Sequence, residues 1–136
     1  MGKLNQIGTV EEILDFCTVD DKLYPCFDFG HINSYTHGGI KGYDDYKRII
    51  DMTADKLGDR KASAFHVHFS KIMYGEKGEL KHLTFADEKY GPEYEGLAKV
   101  IEEYRISPFI ICESDGTQAE DAMTMLAVHE RLAAGM

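Results

Sequence analysis

Three short apolar runs, each ending in side chains that bind cations or move protons, constrain the fold of this chain more than any other feature. Leu23 to Phe29 runs into Asp28-Phe29-Gly30-His31, Ala64 to Phe69 carries His66 and His68, and Phe109 to Cys112 ends at Glu113. Ligating and acid–base side chains gather in this way at the carboxyl ends of parallel strands in α/β folds, where one site is built from several strands. A multivalent cation needs that convergence, because no single helix or turn supplies carboxylates and imidazoles from different directions.

Between these runs the spacing turns helical. Thr9 with Glu12 predicts a capping box, opening a helix whose apolar face is Ile13, Leu14, Phe16 and Cys17. The first strand is expected over 23–29, with Pro25 removing one ladder donor, followed by a polar, Gly-rich loop to Gly42. Tyr43, Tyr46, Ile49, Ile50, Thr53 and Leu57 recur at helical spacing, and Gly58 is placed to end that helix. The second strand is expected over 62–69. Residues 70–92 are charged and broken by Gly75, Gly78 and Gly91, too long for a plain connector, which predicts a functional loop. Pro92 suits the first turn of a helix with Tyr94, Leu97, Ala98, Ile101 and Tyr104 on its packed face. A third strand follows over 108–112, and Thr117 with Glu120 predicts a second capping box before the last helix. The tyrosines at 43, 46, 94 and 104 read as helix packing.

This order is an α/β fold with three parallel strands alternating with about four helices. Nearly uniform apolar strands predict cover on both sheet faces. A closed (β/α)8 barrel takes about 250 residues, and three strands cannot satisfy both of their edges. A chain of 136 residues therefore reads as one domain, part of a barrel by length, and its open edges predict a homo-oligomer.

Hydrophobic residues at 43% and charged residues at 29% are ordinary globular values, which argues against disorder. The net charge of -9 argues against a broad electrostatic footprint on DNA or an anionic membrane, although bound divalent cations reverse the local sign of an acidic cleft. No run approaches the roughly 18 apolar residues of a membrane span and the N-terminus is polar, which predicts a cytoplasmic protein without membrane contact. Cys17, Cys26 and Cys112 are odd in number and without CxxC spacing, and read as reduced core thiols. His37 and His129 are expected to be structural or exposed.

The motifs Phe27-Asp28-Phe29-Gly30-His31, Phe65-His66-Val67-His68-Phe69-Ser70-Lys71, Lys81-His82 before Gly91, and Pro108-Phe109-Ile110-Ile111-Cys112-Glu113 occur in the order and approximate spacing of a known pattern. They resemble the C-terminal part of the endonuclease IV family, xylose-isomerase-like TIM barrels with a trinuclear zinc site that cleaves DNA at abasic positions. The resemblance covers nearly the whole chain and implies strands six to eight of the barrel. It implies Asp28, His31, His66, His82 and Glu113 as metal ligands, with Asp28, His66 and Glu113 sharing one zinc and His31 and His82 holding another. The chain departs from the pattern at Leu80, where the family has an aspartate, and at His68-Phe69, where it has Asn-Asp. The ligands of the first five strands have no counterpart here, which reads as a truncated start.

His68 shares a strand face with His66, because side chains repeat every two residues, and is a candidate for orienting a ligand or binding substrate. Lys71 is a candidate phosphate contact. As an isolated pair, Asp28 and His31 are equally suited to capping the turn after the strand. The resemblance implies metal-assisted hydrolysis of a phosphodiester in abasic DNA, with zinc or manganese as the divalent metal and Glu113 also orienting the attacking water. Two other readings stand beside it. One is isomerisation or epimerisation of a small sugar, as in other xylose-isomerase-like barrels, and the other is a catalytically incomplete half-barrel that persists as an oligomer.

Overall fold

The computed structural model describes residues 9–76 and 78–135. The elements in chain order are α1 (Val10–Cys17), β1 (Cys26–Asp28), α2 (Phe29–Tyr35), α3 (Tyr43–Leu57), α4 (Asp59–Ser63), β2 (His66–Phe69), β3 (Ile72–Gly75), β4 (Gly78–His82), α5 (Glu95–Tyr104), β5 (Phe109–Cys112) and α6 (Gln118–Gly135). No helix among the described residues is long and apolar enough to cross a membrane.

Local chemistry sets the helix ends. Thr9 and Glu12 form the predicted capping box: the Glu12 amide donates to Thr9 Oγ1 at 3.1 Å and the Thr9 amide to Glu12 Oε1 at 3.2 Å. Asp45 reaches back to accept from the Lys41 and Gly42 amides at the start of α3. Gly58, at φ 92°, ends α3 in a backbone conformation that a side chain would strain. The last helix departs from expectation, because the Thr117 hydroxyl donates to Asp121 at 2.9 Å rather than entering a box with Glu120. Helix α5 begins at Glu95, after the cis Gly91–Pro92 peptide, rather than at Pro92.

Strands β1, β2 and β5 form one parallel sheet in that order. Cys26, Phe27 and Asp28 stand level with His66, Val67 and His68, and His66 through Phe69 with Phe109 through Cys112. Strands successive within this sheet are therefore neighbours, β1 and β2 joined through α2, α3 and α4, and β2 and β5 through the β3–β4 hairpin and α5. Phe27, Val67 and Phe69 are completely buried on one face, packed with Tyr46, Ile49 and Ile50 of α3 and Leu97, Ala98, Val100 and Ile101 of α5. Each such large apolar side chain contributes about 1.5–3 kcal/mol of burial free energy. Tyr104 and Tyr43 tie α3 to α5 through hydrogen bonds to Asp51 and Glu103, as helix-packing tyrosines should.

The opposite face corrects the expectation of two-sided cover. Cys26 and His66 are exposed there, and Phe109 and Ile111 retain 61% and 54% of their accessible surface. Among the described residues the packed helices lie on one side, which leaves this face uncovered by them, and Cys26 is not a core thiol. Three further expectations change. The strands are shorter than their apolar runs, since α4 occupies Asp59–Ser63 and Pro25 lies outside β1. The polar segment after β1 contains α2. The long 70–92 segment contains the antiparallel β3–β4 hairpin, packed against α2. Helix α2 can approach because residue 30 is glycine: a Cβ there would stand 2.6 Å from the Ser70 carbonyl oxygen.

Candidate functional site

The carboxyl ends of β1, β2 and β5, the first turn of α2 and the end of β4 surround an open cleft of about 590 Å³. Asp28 stands at the junction of β1 and α2 and is 9% exposed. One of its oxygens accepts the His31 amide at 3.0 Å as the cap of α2, and the other lies 3.1 Å from His31 Nε2. The cap role weighed for Asp28 is thus met by one of its carboxylate oxygens. On the next strand His68 points to the uncovered face, with Nδ1 3.1 Å from Glu113 Oε1. Glu113 continues β5 by one residue, its amide donating to the Phe69 carbonyl at 2.8 Å.

Asp28, His68 and Glu113 each present a ligand atom within 4.8 Å of the others. Two carboxylates and one imidazole from three adjacent strands form a donor set that suits zinc or manganese, with positions open for water or substrate. The field at this point is negative. Burial, then the charges of Asp28 and Glu113, push the Cys26 thiol above its ordinary value.

His66 lies apart from this cluster. It does share its strand face with His68, but it is level with Cys26 at the start of β2, one pleat below the carboxylates, and its ring stacks on Phe109 at 5.1 Å. The cluster takes His68 in its place, so His68 is a candidate ligand rather than an outer residue. His31 and His82 also line the cleft, their rings edge to face at 5.7 Å, and His82 Nδ1 lies 2.8 Å from Ser70 Oγ. The hairpin carries His82 to this rim across a dozen intervening residues.

Lys71 also lies away from the cleft. It is 5% exposed, and its ammonium donates to the Phe85 and Asp87 carbonyls at 3.1 and 2.5 Å and pairs with Glu93 at 3.1 Å. Its charge fastens the segment after the hairpin and does not reach the cleft. His37 and His129 are structural: His37 lies 3.1 Å from the Gly75 and Glu76 carbonyl oxygens, and His129 bridges Tyr94 and Glu102 at 2.5 and 2.8 Å.

Gln118, Cys26 and Cys112 line the cleft without having been expected there. Period-two alternation, counted back from Asp28, was the available signal for Cys26. Asp121 was missed entirely. It is 8% exposed and holds the turn that carries Glu113 and Gln118, accepting from the Phe85 amide at 3.0 Å and the Thr117 hydroxyl at 2.9 Å. Burial alone would raise its carboxyl, yet hydrogen bonds from Ser114, Phe85 and Thr117 and the charge of Lys71 hold it below the ordinary value of 3.8. A lowered folded-state pKa contributes stability that is complete above about pH 4 and lost as pH falls through the folded value. Asp121→Asn is expected to cost about 1–3 kcal/mol at neutral pH and to flatten the acid limb of stability against pH, checked by urea unfolding from pH 7 to 3. An unchanged acid limb would remove Asp121 from this role.

No family model matches the chain, and no solved structure matches it. The chain is 30% identical over 129 residues to an uncharacterized protein of Methanocaldococcus jannaschii, an alignment covering 95% of this chain and 46% of that protein. The chain thus spans about half the length of this relative.

Proposed function

We propose that the chain is the C-terminal part of a xylose-isomerase-like (β/α)8 barrel of the endonuclease IV type, whose strand ends hold a divalent metal for phosphodiester hydrolysis. The barrel reading is supported by the parallel sheet order β1-β2-β5, in which successive strands of the sheet are neighbours, and, among the described residues, by helices on one face and an open second face of the kind that lines a barrel interior. The convergence of Asp28, His68 and Glu113 within 4.8 Å carries the metal reading. Asp28 is oriented through its cap on α2, His68 through its strand and Glu113 through its bond to the Phe69 carbonyl, so the ligand directions are held by rigid backbone. A bound zinc or manganese ion would polarise a phosphoryl oxygen and lower the pKa of a coordinated water toward neutrality. Glu113, beside His68, would orient that water and accept its proton, while His31 and His82 at the rim would take a second cation or a phosphate oxygen.

A second reading, isomerisation of a small sugar, is favoured by one observation. Among the described residues the cleft lining contains no lysine or arginine, and the lysine expected to contact phosphate is engaged elsewhere. Abasic duplex DNA would meet an acidic protein, whereas a neutral polyol pays no such electrostatic cost.

Elemental analysis after dialysis is expected to find about one zinc or manganese per protomer. The combined Asp28→Asn, His68→Ala, Glu113→Gln variant is expected to lose it. Metal far below stoichiometry, or unchanged in the variant, would sink the assignment. Metal-dependent nicking of an abasic duplex supports the nuclease, and aldose–ketose interconversion without nicking supports the isomerase.

A further inference from the structure

We infer that His82 is a substrate-binding residue, donating its Nε2 proton to an oxygen of the molecule in the cleft, and that Ser70 is the positioning residue that fixes it in this form. This role rests on the reading of the cleft as the substrate site, and it selects an oxygen rather than a cation as the partner of His82. One hydrogen bond carries it. Ser70 Oγ lies 2.8 Å from His82 Nδ1, and Ser70 is completely buried. A hydroxyl brings one proton to donate, and a buried donor is almost never left without an acceptor. No other hydrogen bond of this hydroxyl occurs among the described residues, so its proton goes to His82 Nδ1. Nδ1 is then the accepting nitrogen of a neutral imidazole, and the ring proton sits on Nε2. The two nitrogens lie on opposite sides of the ring, so Nε2 points away from the sealed serine, in a side chain that lines the cleft.

The other two cleft histidines differ in partner. His31 Nε2 and His68 Nδ1 each stand 3.1 Å from a carboxylate oxygen, of Asp28 and Glu113. An ionised carboxylate only accepts, whereas a serine hydroxyl takes either role and its burial decides which. Two observations turn His82 away from metal ligation. Asp28, His68 and Glu113 bring ligand atoms within 4.8 Å of one another, and His82 is not in that group. On β4 the neighbour sharing its strand face is Leu80, apolar and 65% exposed, so that face supplies no carboxylate beside the imidazole. Backbone fixes both ends of the bond. His82 stands level with Ile72 in the hairpin, and the Leu83 amide donates to the Lys71 carbonyl at 2.7 Å. The Ser70 carbonyl is packed against Gly30, where a Cβ would come within 2.6 Å. A serine sealed in this way is out of reach of a substrate and is no nucleophile, so its hydroxyl serves the histidine. Set among carboxylates, the Nε2 donor suits an acceptor oxygen of a phosphoryl group or of a sugar hydroxyl.

Long-range proton–nitrogen correlation NMR of the histidine rings in the metal-free intact chain reads the proton directly, with His82 assigned by the signals lost in His82→Phe. The wild-type chain is expected to carry the proton on Nε2 of His82 and none on Nδ1. A proton on Nδ1 would overturn the proposal without recourse to any variant. Ser70→Ala is expected to mix the two tautomers, and Ser70→Thr, which keeps the hydroxyl, to restore the single form. Loss of stability in Ser70→Ala with the tautomer unchanged would overturn the role of Ser70. Zinc is expected to move the His68 signals and to leave the Nε2 proton of His82 in place, and its displacement by zinc would make His82 a ligand and overturn the proposal. Inorganic phosphate and xylitol, added in turn to the zinc-loaded chain, probe for the oxygen. A shift of the His82 signal with phosphate marks a phosphoryl oxygen and a shift with xylitol a sugar hydroxyl, and binding of the effective probe is expected to weaken about tenfold in His82→Phe. No shift with either probe, or equal binding in His82→Phe, would overturn the proposal. Should the chain take up no zinc, the metal reading fails by itself, and the tautomer and the two probes, read on the metal-free chain, still decide the role of His82.

Discussion

Phe69→Ala is expected to destabilise the protein by about 3–5 kcal/mol, a large part of the 5–15 kcal/mol that holds a typical domain together. The ring is completely buried at the end of β2, edge-on to Phe85 at 5.9 Å and to Tyr94 at 5.0 Å. Its neighbours come from the segment after the hairpin and from α5, each fastened by other bonds, Phe85 through Asp121 and Tyr94 through His129. They cannot collapse into the space, so the cavity term adds to the lost transfer free energy. The same truncation at Phe109 removes an identical side chain from a site 61% exposed and is expected to change protomer stability by less than about 1 kcal/mol. Urea denaturation of both variants at one protein concentration checks the contrast. Equal losses would mean that the face carrying Phe109 is packed within the protomer.

The second large effect separates two histidines on one strand. His68→Ala is expected to weaken zinc or manganese binding by more than about 100-fold, because removal of mere supporting partners already costs about 10- to 100-fold. His66→Ala is expected to leave the affinity near wild type, since its ring stacks on Phe109 one pleat away from the carboxylates. Competition against a chromogenic chelator at pH 7 measures both. A larger loss from His66→Ala would restore the ligand set implied by the family resemblance and would require the carboxylates to reach down the strand.

These contrasts mark how far the linear order of residues reaches. The ends of β1 and β5 were legible as places where Asp28 and Glu113 meet at one rim because both follow apolar runs directly, and a strand's last residues stand at its carboxyl edge wherever it pairs. His66 and His68 were legible as one face but not as distinct levels. Level is set by register between strands, and the pairing of Asp28 with His68 depends on how β1 and β2 dock. Lys71 follows a strand as a phosphate contact would, but its partners are carbonyls 14 and 16 residues away, brought back by the hairpin. The hairpin itself was hidden because its strands are short and broken by Gly75 and Gly78, β3 being an apolar Ile72-Met73-Tyr74 run and β4 a polar one, neither with the alternation that announces a half-buried strand.

By itself the sequence determined what depends on neighbours along the chain: the Thr9–Glu12 cap, the periodic face of α3 and its end at Gly58, the α/β alternation, and the placement of acid–base side chains at strand ends. Only the tertiary structure decided that helices cover a single sheet face, that His68 rather than His66 joins Asp28 and Glu113, that Asp121 anchors the turn behind Glu113, and that Lys71 is sealed inside. Periodicity and capping are set by interactions three to four residues apart, whereas cover, register and burial of charge depend on pairings between distant segments whose free energies no local pattern records.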